Sequence, residues 1–112
     1  MLTRVECTNE YSWRRNANDT KIGGFALVNY RDEIYVGGVH ILEEHRGKGY
    51  SNEMMRELIE EAARLSVDKK LYLYVSKYNK VAIHVYEKAG FKITDEYNEG
   101  AWEMTRIPNK AA

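Results

Sequence analysis

The stretch HRGKGYS, His45–Ser51, puts two glycines and two cations between a run that reads as a buried strand and a run that reads as a helix. Ahead of it, IYVGGVHIL (Ile34–Leu42) is an apolar segment of strand length. Behind it, Met54, Met55, Leu58, Ile59, Ala62 and Leu65 recur at helical spacing and predict a helix over Tyr50–Leu65. Ser51 is placed to act near the helix start, with Glu53 in the first turn, where the dipole favours negative charge. Backbone N–H groups at a helix N-terminus are unpaired and face outward along a favourable dipole, and glycines let an anion come close. With Arg46 and Lys48 at the rim, the turn has the parts of a pyrophosphate site. Taken alone, a plain basic turn without a ligand explains it equally well.

Two familiar phosphate signatures do not fit. A P-loop needs a glycine five residues before its Gly-Lys pair, and RGKGYS has none. The dinucleotide fingerprint needs a third glycine, but Gly47-Lys48-Gly49 is followed by Tyr50, Ser51 and Asn52.

Outward from the turn, the chain reads as short strands and two helices. Tyr11–Asn16 and Ile22–Tyr30 form a hairpin across a turn-like ANDTK, and Ile34–Leu42 follows after RDE. Gly37 and Gly38 within that strand suggest a bulge or a close approach to the backbone. Leu71–Lys77 alternates like a strand, a helix runs from about Lys80 to Ala89, and Gly90 ends it as a left-handed residue. FKITDEY and AWEMTRI, separated by NEG, close as a hairpin. The strand–helix–strand unit at the centre predicts that strands 34–42 and 71–77 are parallel neighbours in a mixed sheet whose faces the helices cover.

The 112 residues fit one domain, 1–112, with a tail at 108–112. An apolar fraction of 44% suffices for a core. Seventeen basic residues balance seventeen acidic ones, so a nucleic-acid partner drawn by bulk charge is not expected. Cys7 is the only cysteine, which removes an intramolecular disulfide and a cysteine-based metal site; it reads as a small half-buried hydrophobe. No metal and no membrane partner are expected, and with no signal-like leader the expected location is cytoplasmic. Nine tyrosines against two phenylalanines suggest aromatic rings whose hydroxyls reach water or a ligand.

The central turn resembles motif A of the GNAT (Gcn5-related) N-acetyltransferases, Arg/Gln-x-x-Gly-x-Gly/Ala, with Arg46, Gly49 and Ser51 at its key positions. Ser51 replaces one small residue by another, and Glu43 stands where many members have proline. NKVAIHVYEKAGF is similar to the family's motif B, with Asn79, Ala82, Tyr86, Gly90 and Phe91 at the family's spacing. The resemblance covers roughly Ile22 to Ile107 and implies an α+β fold: a mainly antiparallel mixed sheet, its central parallel pair splayed around acyl-CoA, with helices on its faces.

The resemblance further implies acetyl-CoA as acyl donor and a primary amine as acceptor, joined by direct attack in a ternary complex. The amides of Arg46, Gly47, Lys48, Gly49, Tyr50 and Ser51 would hold the pyrophosphate. Val39 and Ile41 would pair with the pantetheine arm through their backbone, and Asn79 would hydrogen-bond it. Asn79 is equally a helix-start residue satisfying local backbone. Tyr86 would protonate the departing thiolate, a role that suits a phenol protonated at neutral pH.

For the base, some relatives use a carboxylate near the strand before motif A, which points to Glu33, with a water chain as the other option. Glu43 and Glu44 read as solvated turn, and a lone strand histidine such as His40 is more often structural than a relay. Family members usually carry a further strand and two helices at the start, for which only Met1–Glu10 remains. The acceptor side is therefore expected to be open or completed by a second subunit, as a homodimer. The rival readings are a non-catalytic acyl-CoA-binding or regulatory domain and, more distantly, a nucleotide-binding domain using the basic loop.

Overall fold

Two apolar periods, two-residue in the strands and near four-residue in the helices, meet in one core. The computed structural model describes residues 1–4, 9–16 and 18–108. In chain order the strands are β1 (Leu2–Arg4), β2 (Glu10–Trp13), β3 (Gly23–Asn29), β4 (Glu33–Ile41), β5 (Lys70–Ser76), β6 (Lys92–Asn98) and β7 (Ala101–Arg106). Helix α1 spans Tyr50–Leu65 and α2 spans Lys80–Lys88, with one turn of 3-10 helix at Glu43–His45. The strands form one sheet in the order β1-β2-β3-β4-β5-β7-β6. Every neighbouring pair is antiparallel except β4 and β5.

The helices and the strand order match the sequence expectation, with small shifts at the ends. β2 stops at Trp13 rather than Asn16 because the chain turns there: Asp19 N–H donates to the Asn16 carbonyl, and Ile22 N–H donates to the Trp13 carbonyl. β1 was not expected at all; three residues, LTR, carry no readable alternation, and only pairing with β2 reveals the strand. Cys7 lies outside the described residues.

Alternate residues of each strand point to one face, and there Trp13, Leu27, Ile34, Val36, Leu71, Leu73 and Met104 join Met54, Met55, Leu58 and Ala62 of α1 and Ile83 and Tyr86 of α2. Each fully buried aliphatic side chain contributes about 1.5–3 kcal/mol. Both helices lie on this face. The opposite face carries Tyr35, Tyr72, Tyr74 and Tyr97, linked ring to ring at centroid distances of 5.3, 5.9 and 4.1 Å, and no described helix covers it.

One irregularity shapes the centre of the sheet. Ala26 pairs with Gly37 and Gly24 with His40, so Gly38 and Val39 oppose the single residue Phe25. This is the bulge that the glycine pair suggested, with Gly38 at φ 59°. A bulge adds twist and bends its strand. β4 pairs with β5 only through Glu33–Lys70, Ile34–Leu71 and Tyr35–Tyr72, while β5 stays paired with β7 from Leu71 to Ser76. Beyond Tyr35 the sheet parts into two leaves, β1–β4 and β5–β7–β6.

Candidate active site

The parting of the two leaves opens a cleft of about 470 Å³ on the helix-covered face. Its walls come from the unpaired end of β4 (Val39, His40, Ile41), the turn that follows it (Arg46, Gly47, Ser51) and both helices. From α1 come Met54 and Met55; from the start and inner face of α2 come Asn79, Ala82 and Tyr86. Two stretches of sequence, 39–55 and 79–86, thus meet at one opening.

The turn has the geometry that an anion needs. Gly47 and Gly49 sit at φ 78° and 80°, a left-handed conformation that side chains resist, and open space lies over both. Gly49 is the N-cap of α1 and supplies no side-chain hydrogen bond, so the first-turn N–H groups are left for another acceptor. Ser51 therefore lies inside the helix rather than capping it. Arg46 is tied to the end of β4, its Nε donating to the Ile41 carbonyl at 2.8 Å, which fixes the guanidinium at the cleft mouth. A diphosphate fits this arrangement: an uncapped helix start, two open glycines and an anchored cation.

The other expected residues fall into three groups. Val39, Ile41, Arg46, Gly47, Ser51, Asn79 and Tyr86 line the cleft. Lys48, Gly49 and Tyr50 belong to the same turn without lining it; the Tyr50 ring packs toward Trp13 at 5.9 Å instead. Glu33 is not brought to the cleft. It sits six residues from Val39 at the other end of β4, on the order of 20 Å away along a strand. Its carboxylate pairs with Lys70 at 3.6 Å, on the uncovered face beside Tyr72. The strand register decides this, because Glu33 lies at the paired end of β4 and the cleft lies at the splayed end. The apolar wall formed by Met54, Met55, Val81 and Val85 went unrecognised as site, because helical spacing marks such residues only as core.

Asn79 caps a helix and also stands at the cleft. Its Oδ1 accepts from Ala82 N–H at 3.1 Å and caps α2, while the residue also lines the cleft. The side-chain nitrogen carries the donors, and a carbonyl of an extended ligand is their natural acceptor. Tyr86 is buried, 8% exposed, on α2 beside Phe91. Burial pushes its phenol up to about 12, so it holds its proton throughout the neutral range. It is a donor facing a cleft otherwise walled largely by apolar side chains.

Comparison with known proteins adds to this geometry. The model of the acetyltransferase (GNAT) family matches residues 4–91. An uncharacterized N-acetyltransferase of Bacillus subtilis, YycN, is 29% identical over 96 residues, which cover 81% of this chain and 61% of that protein. A spermine/spermidine N(1)-acetyltransferase of the same organism is 31% identical over 68 residues, 61% of this chain and 45% of the relative. The chain thus spans about half the length of these relatives. Among solved structures, a Bacillus subtilis acetyltransferase in complex with CoA superposes with a TM-score of 0.75 at 19% identity, covering 89% of this chain and 76% of that one. Spermidine N-acetyltransferase from Vibrio cholerae, in complex with CoA and spermine, gives 0.75 at 23% identity over 88% of this chain and 64% of that one. Those likenesses speak for the fold, and the family model speaks for descent. The chain belongs to the GNAT acetyltransferase family.

Proposed function

We propose that the chain is an N-acetyltransferase that moves the acetyl group of acetyl-CoA to a primary amine by direct attack in a ternary complex. The observation that carries this reading is the meeting of the Arg46–Ser51 turn, Asn79 and Tyr86 around one cleft beside the unpaired half of β4. Acetyl-CoA supplies an activated thioester, and the residues supply binding and proton control. The uncapped amides of the turn, with Arg46 and Lys48, hold the diphosphate. The backbone of Val39 and Ile41, free of β5, pairs with the pantetheine arm as an added strand, and one of these amides polarises the thioester carbonyl. Asn79 donates to the arm through Nδ2. Tyr86 donates to the sulfur as the carbon–sulfur bond opens.

The spermine and spermidine acetyltransferases among the relatives support placing polyamines in any acceptor test. The protein should be incubated with acetyl-CoA and a panel of polyamines, amino sugars, amino acids and peptide N-termini, reading free CoA thiol. At least one amine is expected to raise thiol release well above the amine-free rate. Tight acetyl-CoA binding with no release for any amine would assign the chain to the non-catalytic acyl-CoA-binding class instead.

A homodimer is part of this proposal. The uncovered face presents Tyr74 and Tyr97 to solvent, and a second copy laid against it would complete the acceptor side. Light scattering is expected to give twice the chain's 13.1 kDa, and a strictly monomeric mass would remove the dimer from the reading.

A further inference from the structure

Past its last backbone pair the centre of the sheet is still bridged by side chains. Pairing between β4 and β5 ends at Tyr35–Tyr72, and those two rings meet at 5.3 Å between centroids. The Tyr35 ring also meets that of Tyr74 at 5.9 Å. Tyr74 stands beyond the last pair, so this contact reaches across strands that have already separated. The Tyr35 ring leans along its own strand in the same direction. A Cβ on Gly37 would stand 2.8 Å from Tyr35 Cε2 and 3.2 Å from its hydroxyl oxygen, so the ring occupies the room that a side chain at 37 would need. Tyr35, Tyr72 and Tyr74 thereby close the fork between the leaves on the uncovered face.

The helix-covered side of the fork is filled as well. Val36 of β4 and Leu73 and Val75 of β5 are buried there in the core. The cleft stops accordingly: its described lining begins at Val39 on β4 and includes no residue of β5. Between Val39 and the last pair, β4 carries only Val36 and two glycines. Gly38 is exposed and has nothing over it, whereas Gly37 is buried with the Tyr35 ring as its roof. The blind end of the cleft is therefore set at Gly37, by a ring that two neighbouring rings hold in place. Tyrosine suits the position, because its ring seals an apolar space while its hydroxyl stays at the open face.

Building on the acyl-CoA reading above, we propose that the Tyr35–Tyr72–Tyr74 plug limits the acyl donor to short chains and that Tyr35 is the residue that sets the limit. In that reading the diphosphate sits at the Arg46–Ser51 turn, the arm runs along Ile41 and Val39, and the sulfur lies by Tyr86. The acyl group, on the far side of the sulfur from the diphosphate, heads for Gly38 and the fork. An acetyl group ends before the ring. Each further methylene has to push Tyr35 off Gly37 and away from its ring partners, and forcing extra methylenes into a packed space strains side chains and backbone. A site of this kind discriminates by about 10-fold or more for each methylene that it cannot hold.

The test compares acetyl-, propionyl-, butyryl- and hexanoyl-CoA by calorimetric binding, which needs no acceptor amine. Wild type is expected to bind butyryl-CoA at least about 10-fold more weakly than acetyl-CoA. Tyr35→Ala should bring that ratio within about threefold, while the Kd for CoA itself, which carries no acyl group, stays within about twofold of wild type. Tyr35→Phe keeps the ring and should keep the ratio. Tyr35→Leu, shorter than the ring but still apolar, is made beside the alanine variant in case that one does not fold, and should move the ratio in the same direction. With any amine that wild type acetylates, kcat/KM for butyryl-CoA relative to acetyl-CoA should follow the binding ratio in each variant. Wild type binding butyryl- and hexanoyl-CoA as tightly as acetyl-CoA would overturn the plug, and so would a ratio unchanged in the folded alanine or leucine variant. Loss of CoA affinity in step with the ratio would overturn it too, since the ring would then only support the cleft. Failure of wild type to bind any acyl-CoA would instead overturn the acyl-CoA reading and the limit on chain length with it.

Discussion

Replacing Tyr86 by phenylalanine is expected to lower kcat about 100-fold or more, equivalent to about 2.7 kcal/mol of transition-state stabilisation. The ring would remain, so its packing against Phe91 and the core should survive, and acetyl-CoA affinity should stay within about twofold. What is lost is one oxygen and its proton, in a cleft walled largely by apolar side chains. A departing thiolate against that wall is poorly solvated, so a buried donor is worth more than it would be at the surface. A rate within threefold of wild type would remove Tyr86 from the chemistry. The same variant has a second readout in pH. The folded phenol titrates near 12 against about 10 for a free tyrosine. The folded state therefore holds the proton more tightly. Its contribution to stability is complete below pH 10 and is lost as pH rises toward 12. Denaturant melts of Tyr86→Phe should fall less steeply than wild type across that window.

The two halves of the site differ in how far they could be read from sequence. The Arg46–Ser51 turn was legible because its chemistry is local: glycines, cations and a helix start lie within seven residues, and the strand and helix flanking it are strongly periodic. Asn79 and Tyr86 stood out only through the resemblance to motif B, and the structure brings both to the cleft wall. Which residues of β4 reach the cleft was not legible, for a geometric reason. Glu33 and His40 both sit on β4, and nothing in the residue types says which end of that strand splays from β5. The pairing does: it stops at Tyr35–Tyr72, leaving Glu33 in the closed part of the sheet, paired with Lys70, and His40 at the opening. The turn of the Gly38 carbonyl toward the His40 ring also depends on a bulge. Sequence suggests such a bulge through Gly37 and Gly38 but does not orient it.

The fold divides along the same lines. Long amphipathic segments declared themselves, and α1 occupies the predicted span Tyr50–Leu65. The three-residue β1 did not, because its pairing with β2 is a tertiary fact. The placement of both helices on one face is tertiary as well. Alternation shows that each strand has an apolar side, but on β4, β5 and β6 the residues facing the other way include Tyr35, Tyr72, Tyr74 and Tyr97, which suit a covered or an open surface equally. The structure leaves them on the uncovered face, with Tyr35 and Tyr72 partly buried and Tyr74 and Tyr97 exposed.

Substituting Gly49 by alanine is expected to weaken CoA binding by about 10- to 100-fold, the loss of roughly one charge-assisted hydrogen bond. Gly49 holds φ 80° at the N-cap of α1, where a Cβ meets no neighbour but the backbone itself is strained by about 1–2 kcal/mol. The turn can relieve that strain only by rotating the amides that precede and open the helix, and those amides are the proposed diphosphate contacts. The expected defect is therefore specific to the diphosphate. With an acetyl thioester of N-acetylcysteamine, which keeps the reacting bond and lacks the diphosphate, the alanine variant should match wild type within about threefold in kcat/KM. The melting temperature serves as a control, since α1 carries Met54, Met55 and Leu58 into the core and a frayed helix would lower it. An equal loss with both donors would mean that the substitution disturbs the cleft as a whole. Unchanged CoA affinity would mean that the turn is only a turn, and the anion must then sit elsewhere along the splayed edge of β4.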